Sequence, residues 1–351
     1  MGKGGDRGVV DNYNDFIWEK SDEPHRVRRK AILNKYPEIK KLYGHDPNLK
    51  YKVVVAVVTQ FALAYYFRNQ FSEKRSSSWT LFFAVTWAIG GTLNHMCTMA
   101  LHELSHNLGF KLPKHNRWFA WFANLPLGVP AAVSFKRYHI DHHKYQGVDG
   151  IDVDIPTVLE GRIFNNFVAK FLFVCFQILF YAFRPMFVNP KPPVFDELIN
   201  AVVVVGVHIA MFFAWGPSSV AYCFLSTLLG TGMHPVAGHF IAEHYVFPED
   251  RADPVNETYS YYGPVNMLTF NVGYHNEHHD FPFVPGSRLP EVRRIAAEFY
   301  DPLPYHTSYV HVIYSYIFNQ RIGAFSRVKR AQTAPDADFQ AEADAFVNKR
   351  E

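Results

Sequence analysis

Cysteine is scarce in this chain: three in 351 residues, Cys97, Cys175 and Cys223, an odd number lying inside apolar stretches. They read as small buried hydrophobes, which excludes a disulfide framework as the basis of the fold. Charge is also sparse. Asp, Glu, Lys and Arg make up 19% of the residues and the formal net charge is only +3, which excludes a nucleic-acid-binding protein built on a concentrated basic face. There is no internal repeat and no low-complexity tract. The first fifty residues are polar and basic, without the apolar core and small-residue cleavage site of a secretory leader, so no cleavable signal peptide is expected. Met1-Gly2 opens like an N-myristoylation site, but Asp6 stands where Ser or Thr is required, and acylation is not expected.

What the chain has in quantity is apolar and aromatic residues, 48% and 17%, including 32 Phe and 20 Tyr. Its mean hydropathy is nevertheless only −0.11. Apolar blocks separated by polar ones reconcile the two numbers, and that is the pattern of a membrane protein with large aqueous regions. Disorder is excluded by the same composition.

Four apolar segments read as spans: 49–67, 79–101, 198–215 and 219–240. The lysines Lys50 and Lys52 can snorkel at one end of the first, and Asn94 and His95 in the second must face protein or an aqueous cavity. Segment 118–135 is apolar but broken by Pro126, Gly128 and Pro130, so an interfacial or re-entrant piece is expected. Segment 163–183, interrupted by Lys170 and Gln177 and closed by Arg184-Pro185, is assigned to the membrane interface. Lys and Arg gather before Val53, between 102 and 197, and after 245, whereas the loop 68–78 holds only Arg68, Lys74 and Arg75. The positive-inside rule then places both termini and the large polar regions in the cytosol. On this topology the sequon Asn256-Glu257-Thr258 remains unmodified. The expected fold is an all-α integral membrane protein: four transmembrane helices in two hairpins, with a cytosolic helical cap holding a His-rich di-metal site.

The cap reading comes from eighteen histidines, a number that needs a reason. Eight fall in three short clusters, His102-Glu-Leu-Ser-His106, His139-Ile-Asp-His142-His143 and His275-Asn-Glu-His278-His279. Histidines at i and i+3 or i+4 share one helix face, where two imidazoles can reach one metal or two adjacent ones. All three clusters fall on the cytosolic side. A lone histidine in an apolar helix is commonly a satisfied core residue; three such clusters without metal would crowd polar groups together for no gain. After the fourth span come His234, His239 and His244; His244 is favoured as a ninth ligand and His239 as a further candidate, although five residues apart they do not share a helical face. His25, His45, His115, His208, His306 and His311 belong to no cluster and default to structural roles. Glu103, Asp141 and Glu277 read either as acceptors fixing imidazole tautomers or as ordinary helix-surface charge.

Eight or nine imidazoles exceed one tetrahedral zinc and suit two ions with nitrogen-rich shells and open positions, for which iron is a natural candidate. Iron brings oxygen chemistry able to take hydrogen from an unactivated carbon, and a membrane scaffold points to a lipid chain as its source. His102-Glu103-Leu-Ser-His106 also satisfies the HExxH zinc-protease pattern, with Glu103 as general base, but that reading leaves two clusters unexplained and supplies no clear third ligand. A transporter is disfavoured because the clusters lie beyond the spans instead of within them.

The boxes HxxxH, HxxHH and HxxHH around two hydrophobic hairpins resemble the membrane fatty-acyl desaturase and hydroxylase superfamily. Finer motifs resemble its sphingolipid Δ4-desaturases: Asp15-Phe-Ile-Trp18, Asp22-Glu-Pro-His25, Lys35-Tyr-Pro-Glu-Ile-Lys40, Ser134-Phe-Lys-Arg-Tyr-His139, Asp152-Val-Asp-Ile-Pro156, Asn189-Pro-Lys-Pro192, Gly238-His-Phe-Ile-Ala-Glu-His-Tyr245, Thr258-Tyr-Ser-Tyr-Tyr-Gly-Pro264 and Asn271-Val-Gly-Tyr-His-Asn-Glu-His-His-Asp-Phe-Pro282. The resemblance runs from about residue 15 to 330. It implies an N-terminal cytosolic segment over 1–48, a desaturase domain over 49–320 and a solvated cytosolic tail over 321–351. It further implies an enzyme of the endoplasmic reticulum membrane that turns dihydroceramide into ceramide by placing a trans double bond between carbons 4 and 5 of the sphingoid base. Two iron ions, O2 as co-substrate, and electrons from cytochrome b5 and its NADH-dependent reductase are implied with it. The donor must be a separate protein, since no His-Pro-Gly-Gly haem signature is present. The ligand set implied is His102, His106, His139, His142, His143, His275, His278 and His279, with His239 and His244 as additions and no catalytic residue beyond the ligands. Some members also hydroxylate carbon 4; Glu103 and Asn276 resemble the desaturase type of box more than the bifunctional type.

Overall fold

Helices dominate the computed structural model of the chain, which describes residues 13–74, 77–251 and 257–331, with residues 341, 345 and 346. The Met1-Gly2 start, Asn256 of the sequon and most of the C-terminal tail lie outside the described residues. Helix α1, Pro24–Lys35, starts where proline costs nothing, and the Glu23 side chain accepts from the backbone N–H groups of His25 and Arg26. Helix α2, Leu49–Tyr66, is the first apolar run. Helix α3, Trp79–Val85, continues through a π-helical turn, Thr86–Gly91, into α4, Thr92–Ser105, whose end carries the first histidine cluster.

Helix α5, Pro113–Asn124, and α6, Ala132–Lys144, form the bent pair expected from their prolines, with a bend of 113°. Gly128 takes a φ of 81° at the bend, a conformation that favours glycine. Asn124 holds the corner by accepting from the N–H groups of Ala131 and Ala132. After the short α7, Val158–Ile163, come α8, Phe167–Val188, α9, Phe195–Trp215, and α10, Pro217–Gly230. Short helices α11, His239–Ala242, α12, His275–Asp280, α13, Leu289–Ile295, and α14, Ala297–Tyr300, lead to α15, Tyr309–Phe318.

Among the described residues, four two-residue strands tie distant segments together. Strand β1, Ile17–Trp18, and β2, Ser260–Tyr261, pair in parallel with β4, Val328–Lys329, and β3, Tyr305–His306, respectively. Residues 322–330, expected to begin a solvated tail, are therefore packed. Arg330 pairs with Glu257 at 2.6 Å and Arg327 with Asp154 at 2.5 Å, because buried carboxylates on the cap require cations there.

Helices α2, α4 and α10 lock through a polar knot among apolar neighbours. Gln60 Nε2 donates to Gly90 O (2.8 Å) and the Tyr222 hydroxyl donates to Gln60 Oε1 (2.9 Å), while Asn94 Nδ2 reaches Pro126 O, Cys223 O and Thr227 Oγ1. A carbonyl of the π turn is thus satisfied by a side chain of another helix, as a low-dielectric setting demands.

Among the described residues, two helices, α8 and α9, are long and apolar enough to cross a membrane, and the bent α5–α6 pair would make a third if it were one broken span. Segment 163–183, expected at the interface, lies in the 22-residue α8. Its interrupting polar residues all lie on the buried face: Lys170 Nζ donates to Asn319 O and Ile322 O, Gln177 Nε2 to Thr231 O, and Arg184 pairs with Glu160. One expectation does change: the single span expected over 219–240 is broken after α10, which ends at Gly230 and is about 21 Å long, because Gly230, Gly232 and Pro235 interrupt the ladder before the short helical turns Pro235–Gly238 and α11.

Candidate metal centre

The histidine clusters sit at the ends of three helices. His102 lies in the last turn of α4 with His106 at its C-cap; His139, His142 and His143 occupy the last two turns of α6; His275, His278 and His279 make up half of α12. His244 comes from the turn after α11. In the first of two groups, His102, His106, His139, His143 and His278 bring one ring nitrogen each within 4.8 Å of one another; His142, His244 and His279 form the second on the same criterion. Within the first, Nε2 atoms are separated by 2.8 Å (His106 to His139), 3.2 Å (His139 to His143) and 3.1 Å (His143 to His278). His142 and His244 are 3.1 Å apart, and His275 joins them with its Nε2 2.9 Å from that of His244.

These residues fit metal ions. Burial first, and then the neighbouring imidazoles, push His106, His139, His143, His244, His275, His278 and His279 well below the ordinary histidine range, so the rings are neutral. Neutral imidazole is the ligating form. Nε2 atoms this close need a proton or a cation between them, and nitrogens bound at about 2.1 Å and 90° apart on one ion stand roughly 3.0 Å from each other. His102 Nε2 and His279 Nε2 are buried without a hydrogen-bond partner, a cost that a metal removes.

Outer residues hold the rings. Asp152 Oδ1 lies 3.0 Å from His142 Nδ1 and Asp152 Oδ2 accepts from Gly147 N. Burial would lower the pKa of His142, but the Asp152 carboxylate outweighs it and raises the value. Glu243 Oε1 is 3.5 Å from His275 Nδ1 and 3.0 Å from His239 Nδ1. A chain of hydrogen bonds reaches His244 from the N-terminal segment. Burial lowers the pKa of His25 to about 4, so the neutral ring donates from Nδ1 to Asp280 Oδ1 (2.7 Å) and accepts at Nε2 from the Thr258 hydroxyl (2.9 Å). Thr258 Oγ1 lies 3.4 Å from His244 Nδ1. Arg28 closes the array on Asp280 Oδ2 (2.7 Å) and Asn276 Oδ1 (2.8 Å), and Tyr300 donates to Asp280 Oδ2.

Of the three acids considered for tautomer control, Glu103 faces a box histidine and the other two do other work. Glu103 Oε2 accepts from Gly286 N (2.9 Å), anchoring the turn after the third cluster, with Oε1 3.7 Å from His102 Nδ1. Asp141 pairs with Lys191. Glu277 accepts from Ser260 Oγ and the Tyr262 hydroxyl, at 2.7 and 2.6 Å. Asp152, Thr258, Asp280 and His25 take the orienting role instead. His25, read as structural for want of a cluster, stacks beside His279 with ring centroids 4.8 Å apart; Asp280, next in sequence to the third box, was the available sign of a partner. Glu103 is committed to a backbone N–H and both box-one histidines face histidines of the other boxes, which disfavours the protease arrangement. His239 is in neither group. His234 accepts from Val236 N as a cap, His208 Nδ1 donates to Val204 O, and His306 stacks on Tyr259, all structural placements.

Comparison with known proteins agrees with this geometry. The fatty acid desaturase family model matches residues 77–311, and the sphingolipid Delta4-desaturase (DES) model matches residues 12–48. The chain is 51% identical over 322 residues to the sphingolipid delta(4)-desaturase DES1 of Drosophila melanogaster, covering 91% of this chain and 96% of that protein. It is 51% identical over 320 residues to the Homo sapiens DES1, covering 91% and 95%. With the DES1-like protein of Arabidopsis thaliana it shares 46% identity over 346 residues, covering 96% and 100%.

Proposed function

The chain belongs to the fatty acid desaturase family and within it to the sphingolipid Δ4-desaturases, and from that premise we propose that it converts dihydroceramide to ceramide by O2-dependent introduction of a trans 4,5 double bond. It is an oxidoreductase. The observation that carries the reading is the pair of adjoining imidazole groups: five nitrogens from His102, His106, His139, His143 and His278, and beside them His142, His244 and His279 with His275. These nine hold two iron ions, and His239 is not a ligand. When bound, such an iron pair supplies oxygen reduction and removal of hydrogen from an unactivated carbon.

The chain's own residues keep that chemistry in place. Asp152 and Thr258 fix the Nδ1 sides of His142 and His244 so that Nε2 faces inward. Burial of every box histidine except the half-buried His139 excludes bulk water from the reacting carbon. Electrons come from cytochrome b5, reduced by NADH through its reductase.

The site stands at the cytosolic surface of the endoplasmic reticulum membrane, on four crossings made by α2, α3 with α4, α9 and α10. An even number of crossings must separate α6 from α12, because His143 lies 3.1 Å from His278. The α9–α10 hairpin supplies two, and α8 then lies in the interface. Its buried polar residues support this: Lys170 near its start meets Asn319, and Arg184 near its end meets Glu160 and the carbonyls of Val153 and Asp154, all cap residues.

The test supplies purified protein in lipid with cytochrome b5, its reductase, NADH, O2 and labelled dihydroceramide, with His275→Ala as control. Loss of two hydrogens by mass spectrometry, absent in the control, is the expected result. Gain of one oxygen instead reassigns the protein as a sphingolipid 4-hydroxylase, and a single zinc per chain overturns the di-iron reading.

A further inference from the structure

Two buried histidines remain outside the metal groups and outside the structural roles above. His95, two turns before His102 on α4, is fully buried, and His239 is 4% exposed. Their ring centroids are 4.9 Å apart with 76° between the planes. Neither Nε2 has a hydrogen-bond partner. A buried polar side chain at membrane depth is expensive and marks a functional site by default.

Their other nitrogens decide what can satisfy them. His95 Nδ1 lies 3.0 Å from Gly230 O; a carbonyl only accepts, so Nδ1 carries the proton and Nε2 presents a lone pair. His239 Nδ1 lies 3.0 Å from Glu243 Oε1, so its Nε2 accepts if that carboxyl is ionised and donates if it is protonated. A hydroxyl group fits both cases, because it can donate to His95 while either donating to or accepting from His239. A carboxylate or phosphate, lacking a donor, fails at His95. The place is also right: the Glu243 oxygen that meets His239 is the one nearest His275, one carboxylate away from the metal groups.

We propose that His95 and His239 bind the 3-hydroxyl of the sphingoid base, one carbon from the bond to be oxidised, and so set which bond the metal centre meets. This deepens the Δ4-desaturase reading and rests on it. Both residues bind substrate and hold no metal.

The experiment measures equilibrium binding of radiolabelled dihydroceramide and of its 3-deoxy counterpart to the iron-loaded protein in nanodiscs without O2, together with bound iron per chain. Wild type is expected to prefer the hydroxylated lipid by about tenfold, the worth of one buried hydrogen bond. His95→Phe and His239→Phe should bind both lipids alike with iron unchanged, and His95→Gln and His239→Gln, which keep a hydrogen-bonding amide, should recover part of the preference. Full preference retained in the Phe variants overturns the inference and assigns the two nitrogens to water. Loss of iron from His239→Phe overturns it in favour of a tenth ligand. If wild type desaturates dihydroceramide yet binds the two lipids equally, the inference falls and the Δ4 reading stands; if wild type neither binds nor converts dihydroceramide, the Δ4 reading falls and takes the inference with it.

Discussion

At the scale of single residues, the carboxylates around the boxes matter more than those inside them. Burial alone would raise the Asp280 carboxyl, but Arg28 and His25 outweigh it and hold it below the usual carboxylate range. A depressed carboxylate contributes stability above its unfolded pKa near 3.9, and that contribution is lost as pH falls through the lower folded value. Asp280→Asn leaves Arg28 buried against neutral partners, at a cost of about 3–5 kcal/mol; thermal unfolding at pH 7 should fall by many degrees, and the gap to wild type should narrow on acidification toward pH 3. Asp152→Ala removes the oxygen from His142 Nδ1 and is expected to weaken metal retention about 10–100-fold. Metal lost to a chelator over time, compared with Asp141→Ala as a control that spares the site, measures it.

The helices meet at places set by what glycine allows. A Cβ on Gly230 would stand 2.2 Å from Gly91 O and 2.6 Å from Gly91 Cα. Gly230→Ala must therefore push α10 away from the π turn, disturbing the Gln60–Asn94–Tyr222 knot, and should cost about 1–3 kcal/mol. A lowered unfolding midpoint in detergent checks this; Gly206→Ala on α9, where a Cβ meets nothing within 4 Å, should leave the midpoint within a degree or two. The loop before the third box carries a different tension: Phe270 and Asn271 adopt φ of 52° and 62°. A bulky residue in that region is strained, and Asn271 Nδ2 helps hold the turn by donating to Gly286 O.

For the whole molecule, the placement of α8 is the sharpest test of topology. An interfacial α8 keeps both ends on the cytosolic side, whereas a crossing α8 separates them. Val168 and Phe187, 50% and 83% exposed near its two ends, can each be changed to cysteine in a chain lacking Cys97, Cys175 and Cys223. Both should react with an impermeant thiol reagent added outside sealed microsomes. Reaction at one end alone would place α8 across the membrane, and the contact of His143 with His278 would then require the 14-residue α10 not to cross.

The sequence by itself determined the boxes, because i, i+3 and i+4 spacing puts imidazoles on one helix face regardless of what packs nearby, and the expectation that the three boxes converge is met by the two imidazole groups. His244 was also legible as a residue that follows an apolar run and rejoins the boxes. Which carboxylate orients which ring was not legible: Glu103, Asp141 and Glu277 stood inside the boxes, whereas Asp152, which meets His142, lies nine residues beyond the second box, and only the packing of α6 against its own following loop brings it there. The same holds for His25, 255 residues from its partner Asp280, and for Arg327 and Arg330, whose buried carboxylates lie far away in the chain. Hydropathy averages over a window and cannot tell a lipid-facing polar residue from one turned inward, so the character of α8 waited on Lys170, Gln177 and Arg184 finding cap partners. Local periodicity is written in neighbouring residues; the pairing of buried charges is a property of segments brought together by folding, and only the tertiary structure decides it.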